Sequence, residues 1–411
     1  MNRTLVWQLA IRYFRGKRSA NAVPILSRIS IVAIAIGSAA FIILFSVFNG
    51  FEFLIKDNYK AFYPDVRISK AKGKFFSLPE AEIKKISSLA GISCVSAVIE
   101  DNVLANNEDE QIVATLKGID SNYFKVNNIK PYIVAGRDSV SEYPVITGIV
   151  GASLANQMGA DVNNVFTNII LYYPNTSASN PSLDPASAFQ FLKLKPDGLF
   201  RIQDDFDSKY VLAPLAAVQN LFKEEGKISS IEISMLPNAD AEDLKKQIQQ
   251  IAGGGYMVET RYEQNKTLYM VMRTEKWAVY AILLLVMLIA SFNMVGALSL
   301  LVLEKRKDMA ILKIMGANPS AIRAIFVLEG MLWSLAGGSI GMILGALICA
   351  GQKHFHWIKM QGSWIIDAYP VDMHLADFGL VLVTILFVGI IAAWYPAMRA
   401  TKAEDPSLKS A

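Results

Sequence analysis

Residues 277–317 read WAVYAILLLVMLIASFNMVGALSLLVLEKRKDMAILKIMGA. The first 27 of them, 277–303, carry no charge. Roughly 20 apolar residues cross a bilayer at about 1.5 Å rise each. The remainder, 304–317, is short, basic and amphipathic and stops at a glycine. Lys305, Arg306, Asp308, Ala310, Ile311, Leu312 and Lys313 form its body, with Gly316 and Ala317 at its end. An element so small is no domain, yet on leaving a membrane it is placed to touch something soluble. It is expected to dock a cytoplasmic partner.

Apolar residues make up 53% of the chain and charged residues 18%, with a mean hydropathy of +0.33. These are values of a membrane protein with a large polar portion. Three further stretches can span: 29–48, 330–352 and 378–397. Basic bias marks the cytoplasmic side. The first 28 residues hold Arg3, Arg12, Arg15, Lys17, Arg18 and Arg28 and no acid. Residues 304–323 hold five basic against two acidic, and the tail from Arg399 three against two. By contrast 353–377 holds two basic and three acidic, and 49–276 holds 24 and 28. Both termini and the second-to-third connection are therefore expected inside, and 49–276 outside. The net charge of +4 reflects these flanks and is no nucleic-acid signal.

The resulting fold class is a membrane protein with four transmembrane α-helices and a large extracytoplasmic α+β domain inserted between helices 1 and 2. Its expected parts begin with a cytoplasmic amphipathic N-terminal helix (1–28), a first span (29–50) and the outer domain with stalk helices (51–276). A second span (277–303), the cytoplasmic coupling helix (304–324) and a third span (325–352) come next. A short outer loop (353–376), a fourth span (377–397) and a cytoplasmic tail (398–411) complete it. A cleaved signal peptide is the competing account of 29–48. Its 20 residues exceed the usual hydrophobic region of about 7–15, so a retained span is expected. Cys94 falls in the outer domain and Cys349 in the third span, so no intrachain disulfide is expected.

Residues 4–16 place Leu5, Leu9 and Tyr13 at helical spacing opposite Arg12 and Arg15, which suits a helix lying along the inner leaflet. Phe48, Phe51, Ile55, Tyr59 and Phe62 continue the first helix to Pro64, and Leu268, Met272 and Val279 extend the second backwards. In the outer domain, 65–69, 93–98, 112–116, 145–149, 167–172, 228–235 and 256–260 read as strands. Helices are expected over 79–89, 152–158 and 241–251. The combination is a mixed α+β fold in two lobes. Pro174, Pro181 and Pro185 punctuate a Ser- and Asn-rich segment that leads into Phe189 and Phe191. Either it is a loop tip or a hairpin that offers its phenylalanines to a partner.

Catalytic signatures are missing. There is no P-loop, no Gly-x-Ser-x-Gly elbow and no His-Glu-x-x-His. His354 and His356 flank Phe355 at a membrane boundary, which suits an interface better than a metal; no metal site is predicted. Inside the membrane, Gly337, Gly341 and Gly345 share a helical face fit for tight packing, and Asn293 is expected to make an interhelical hydrogen bond. No ionisable residue lies mid-span, so an ion-coupled carrier lacks a relay. Energy must come from an associated ATPase.

Several segments together resemble the FtsX-like, MacB-type ABC transporter permeases, nearest the lipoprotein-releasing (Lol) transmembrane subunits of the LolC/LolE type. They are Asn265-Lys-Thr-Leu-Tyr, Glu275-Lys276, Ala290-Ser-Phe-Asn293, Glu304-Lys-Arg-Lys-Asp308, Ala310-Ile-Leu-Lys313, Gly316-Ala317, Glu329-Gly330 and Tyr395-Pro-Ala397. Gly118-Ile-Asp120, Val134-Ala-Gly136-Arg137 and Gly151-Ala-Ser-Leu-Ala155 resemble the family's extracytoplasmic module. The resemblance implies a mechanotransmission permease of a bacterial inner membrane. It would pair with a second copy or a paralogous permease and be driven by separate ATPase subunits. This chain itself would bind no cofactor, ATP and Mg residing on the partner. It also implies a lipoprotein substrate, a periplasmic carrier, and a carrier-binding hook over 174–191, whose sequence departs from the family pattern. Phe45, Phe48, Phe51 and Met287 either line an acyl-chain surface or pack as ordinary helix-facing residues. The alternatives are a signalling permease that activates a cell-wall hydrolase, whose relatives have smaller outer domains, and periplasmic peptide or drug efflux. A membrane-anchored hydrolase is disfavoured by the missing catalytic groups.

Overall fold

The computed structural model describes residues 3–15, 22–107, 110–162, 168–175, 188–360 and 368–402. The chain opens with α1 (Arg3–Arg15), α2 (Ala22–Phe62), β1 (Val66–Lys70), α3 (Glu80–Ser87), β2 (Ile92–Asn107), β3 (Glu110–Ile119) and α4 (Tyr123–Val126). It continues through β4 (Ile133–Gly136), β5 (Thr147–Gly151), α5 (Ala152–Gln157), β6 (Ile169–Pro174), β7 (Phe189–Phe200), α6 (Asp204–Asp207), β8 (Tyr210–Pro214) and α7 (Leu215–Phe222). Then come β9 (Ser230–Met235), α8 (Ala241–Ala252), β10 (Tyr256–Thr260), α9 (Arg261–Gln264), α10 (Lys266–Glu304), α11 (Arg306–Ile314), α12 (Pro319–Phe355) and α13 (Leu375–Lys402). Two compact units result: one joins the chain's two ends with Met270–Lys359, and the other is essentially Leu54–Tyr269.

In the helical unit, α2, α10, α12 and α13 are each long and apolar enough to cross a membrane. Their shared core gathers Phe41, Phe45, Met294, Phe326 and Trp333 with small residues such as Ala393 and Ala397. Helix α12 is the centre of this packing, and its glycines explain how. A β-carbon on Gly337 would stand 2.6 Å from the Ile31 carbonyl oxygen, and one on Gly345 3.0 Å from that of Ala39, both on α2. Gly330 and Gly338 do the same toward Ala393 and Ile385 on α13. One glycine face presses the α2 backbone and the other leaves room for the side chains of α13.

The expected placement of α1 changes here. Val6 and Ala10 pack with Ile325 of α12 and Leu312 of α11, so protein and not lipid covers that face. Trp7 and Arg12 stay exposed on the other. Amphipathic spacing is the same for either partner, which is why sequence alone cannot choose.

The second unit is built on one ten-stranded mixed sheet in the order β10-β1-β9-β2-β3-β8-β5-β7-β4, with β6 pairing β2 and β7. The expected two lobes are thus two packed regions of a single sheet. Ile86, Leu244 and Ile248 cover one end, and Leu154, Val218 and Leu221 the other. Strands β7 and β8 and helix α7 were not legible in the sequence. Pro196 and Gly198 interrupt β7, and the pairing with β5 slips there because a bulge fits between them. On the opposite face, Ala61 and Phe62 at the end of α2 pack with Val98, Tyr123 and Phe200.

Candidate functional site

Helix α10 and helix α11 are separated by Lys305 alone. Met309 is buried, anchoring α11 to the spans, and Leu312 packs against α1. The helix ends where Gly316 takes φ +85°, a left-handed conformation that glycine adopts at no steric cost. Ala317 N–H then donates to the Leu312 carbonyl at 2.9 Å, and Asn318 precedes Pro319 at the first position of α12. A short helix is thereby fixed at an elbow between two spans.

Its residues fall into two groups. Lys305 pairs with Asp308 at 3.4 Å and lies 5.4 Å above the Tyr13 ring. Burial, then Asp308, push the Tyr13 phenol up to about 12. Lys313 Nζ donates to the Thr401 carbonyl on α13 at 3.1 Å. Lys305, Asp308, Leu312 and Lys313 therefore hold the elbow together, while Ala310 and Ala317 are half-buried. Arg306, Ile311 and Gly316 point outward. So do Lys307, Ile314 and Met315, and the last two are 75% and 77% exposed. Sequence reasoning misses Ile314 and Met315, although a signal exists: with Ile311 they stand at i, i+3 and i+4, one helical face. An exposed apolar triad beside two cations can dock a groove of complementary shape and acidity.

The remaining predicted residues divide between packing and exposure. Gly337, Gly341 and Gly345 meet α2. Asn293 lies exposed on α10 beside Phe292 and Gly296, and the expected interhelical hydrogen bond is not formed among the described residues. Phe45 and Met287 are each 1% exposed and belong to the helical core, which matches the helix-packing alternative for these two and not an acyl-chain surface. Phe45 stacks on Tyr280 at 6.2 Å, and Phe51 meets Tyr369 edge-on at 5.2 Å. Phe48 and Phe51 are half-buried. Just beyond Phe45, the buried Asn49 amide donates to Asp377 at 2.6 Å and accepts from Lys276 at 2.7 Å, joining α2, α10 and α13.

Pro174 closes β6, and Phe189 and Phe191 open β7, paired in register with Pro174 and Tyr172. The flanks of this segment form a hairpin up to the hydrogen bond from Asn175 N to Ala188 O, with Phe189 and Phe191 exposed. Pro181 and Pro185 lie outside the described residues.

Beneath the sheet lies a charged row that no sequence motif announces. Arg67, Glu232, Glu100 and Lys117 stand on β1, β9, β2 and β3. Lys117 Nζ donates to Glu232 at 2.7 Å, and Arg67 to Glu100 at 2.6 Å. The Lys117 ammonium also lies 4.8 Å from the Phe62 ring centre, at the end of α2. Burial, the largest single influence, would lower the Lys117 pKa, but Glu232, Tyr123 and Glu100 together outweigh it and hold the group above its ordinary value. Among the described residues, no three His, Cys, Asp or Glu side chains gather as a metal site.

Known proteins resemble this chain over most of its length. The FtsX-like permease C-terminal family model matches residues 280–404, and the MacB-like periplasmic core domain model matches 27–251. The lipoprotein-releasing system transmembrane protein LolE of Haemophilus influenzae is 25% identical over 424 residues, covering 97% of each chain. LolC of Neisseria meningitidis serogroup B is 24% identical over 416 residues, covering 96% of each. Among solved structures, the periplasmic region of MacB from Actinobacillus actinomycetemcomitans aligns at 13% identity and TM-score 0.36, covering 53% of this chain and 98% of that one.

Proposed function

Because this chain belongs to the FtsX-like permeases with a MacB-like periplasmic core domain, we propose that it is the transmembrane subunit of a lipoprotein-releasing ABC transporter. The chain is a permease of the inner membrane with a periplasmic domain, and permeases of this family hydrolyse no ATP themselves. A separate ATPase binds the outward face of α11, and nucleotide and Mg reside there. Movement of that helix passes to α10 and α12, which it joins, and so to the periplasmic domain. The released lipoprotein passes to a periplasmic carrier that engages the Phe189 and Phe191 hairpin. A second permease, identical or paralogous, covers α10 and offers the Asn293 amide a hydrogen bond that it does not make among the described residues.

The observation that carries this reading is the apolar triad Ile311, Ile314 and Met315, held outward at an elbow between two spans. Depletion of the protein tests the substrate. Triacylated lipoproteins are expected to accumulate in the inner membrane; unchanged lipoprotein sorting removes that substrate and leaves an ABC permease of another cargo.

A further inference from the structure

The outer end of α12 takes part in neither ATPase docking nor the Phe189 hairpin, yet it is built for contact. Seven consecutive residues, 353–359, are exposed, and they mix lysines and histidines with large apolar groups. Phe355 and Trp357 stack with ring centres 5.7 Å apart and planes within 6°. Each is 63% exposed and the adjoining Ile358 62%. Lys353, His354, His356 and Lys359 surround them, and among the described residues neither lysine has an ion-pair partner.

The turn has a defined geometry. His356 takes φ +52° and stops the helix. The buried Gln352 side chain then grips Ile358 from both sides: its amide donates to the Ile358 carbonyl at 2.9 Å and its oxygen accepts from the Ile358 N–H at 2.9 Å. The same amide reaches the Tyr369 carbonyl at 3.4 Å. Trp357 folds back over Gly351, where a β-carbon would stand 2.6 Å from the indole. A buried glutamine and a glycine are thus committed to holding apolar rings outward, which in water alone is unfavourable.

We propose that the 353–359 turn is a membrane foot, with Phe355, Trp357 and Ile358 inserted among the acyl chains and Lys353 and Lys359 binding anionic phospholipid headgroups. Its place decides the occupant. The turn closes an apolar helix long enough to span, where aromatic rings and lysine stems settle at the lipid–water boundary. Two lysines without an ion-pair partner among the described residues complement an anionic headgroup, and adjacent apolar groups bury in the acyl boundary. The proposal needs α12 to span a bilayer and stands apart from the choice of transported cargo.

The test uses the full chain with Cys94 and Cys349 replaced by serine and Ile358→Cys carrying an environment-sensitive fluorophore. It is reconstituted in vesicles of phosphatidylcholine with or without phosphatidylglycerol. Blue-shifted emission, quenched at least twofold more by a shallow spin-labelled lipid than by aqueous iodide, is expected. Phosphatidylglycerol should deepen the quenching, and Lys353→Glu with Lys359→Glu should abolish that increment. Iodide-dominated quenching overturns the foot, as does shielding from both quenchers, which would mean that protein covers the turn. Equal quenching in both lipids overturns the anionic headgroup assignment.

Discussion

The carbonyl oxygen of Ala35 on α2 occupies the space in which Gly341 of α12 would otherwise carry a β-carbon. The approach is backbone to backbone, so no side-chain rotation can relieve an added methyl. Gly341→Ala is expected to push the helices apart and lower stability by about 1–3 kcal/mol. Gly379 on α13 has nothing within 4 Å of a β-carbon, and Gly379→Ala should be neutral or slightly stabilising. Thermal melts in detergent compare the two; equal melting temperatures would remove the tight α2–α12 contact.

That contact was half legible in the sequence. Glycines at every fourth residue announce a close-packed face, but not which helix meets it. Spans and the short helix that follows the second of them were readable because charge-free stretches and their basic flanks are local signals. What escaped depends on tertiary partners. Lys117 reads as an ordinary charged residue in a strand until Glu232 is brought beside it from another strand. Asn293 shows the reverse: a polar residue mid-span reads as a packing contact, yet this chain leaves it outward. Strand β7 was hidden by Pro196 and Gly198, which break a strand pattern unless a bulge accommodates them.

The elbow residues separate docking from folding. Ile311 is exposed, so Ile311→Asp should leave stability within about 0.5 kcal/mol and still abolish co-purification of the ATPase. Met315→Asp should behave alike. Leu312→Asp places a charge in the contact with α1 and should lower the melting temperature as well. Retained ATPase association in Ile311→Asp, with the protein folded, would exclude the outward face as the docking surface.

The charged row under the sheet predicts a non-additive pair. Lys117→Met leaves Glu232 buried without its cation, a loss of about 3–5 kcal/mol. Glu232→Gln in the same chain removes the stranded charge and should restore part of that loss. Denaturation of the two single variants and the double gives the coupling energy directly. Additive losses would mean that the pair contributes through packing alone.

Asp207 offers a pH dependence of definite sign. Its side chain is fully buried, and Oδ1 accepts from the Ile202 N–H at 2.8 Å. Burial raises the carboxyl to about 6, against the opposing pull of backbone hydrogen bonds from Ile202 and Gln203. The folded state therefore holds this proton more tightly than the unfolded chain does. The resulting stabilisation is complete below the ordinary carboxyl value and is lost as pH rises through about 6. Its size is on the order of 1 kcal/mol for each pH unit of displacement. Asp207→Asn retains an acceptor for the Ile202 N–H but carries no titrating proton. The wild-type melting temperature, measured relative to that variant, should be highest below the ordinary carboxyl value, lower at pH 5, and lowest by pH 7.5. A difference that stays constant across this range would mean that Asp207 is charged throughout, with its burial offset by the backbone donors.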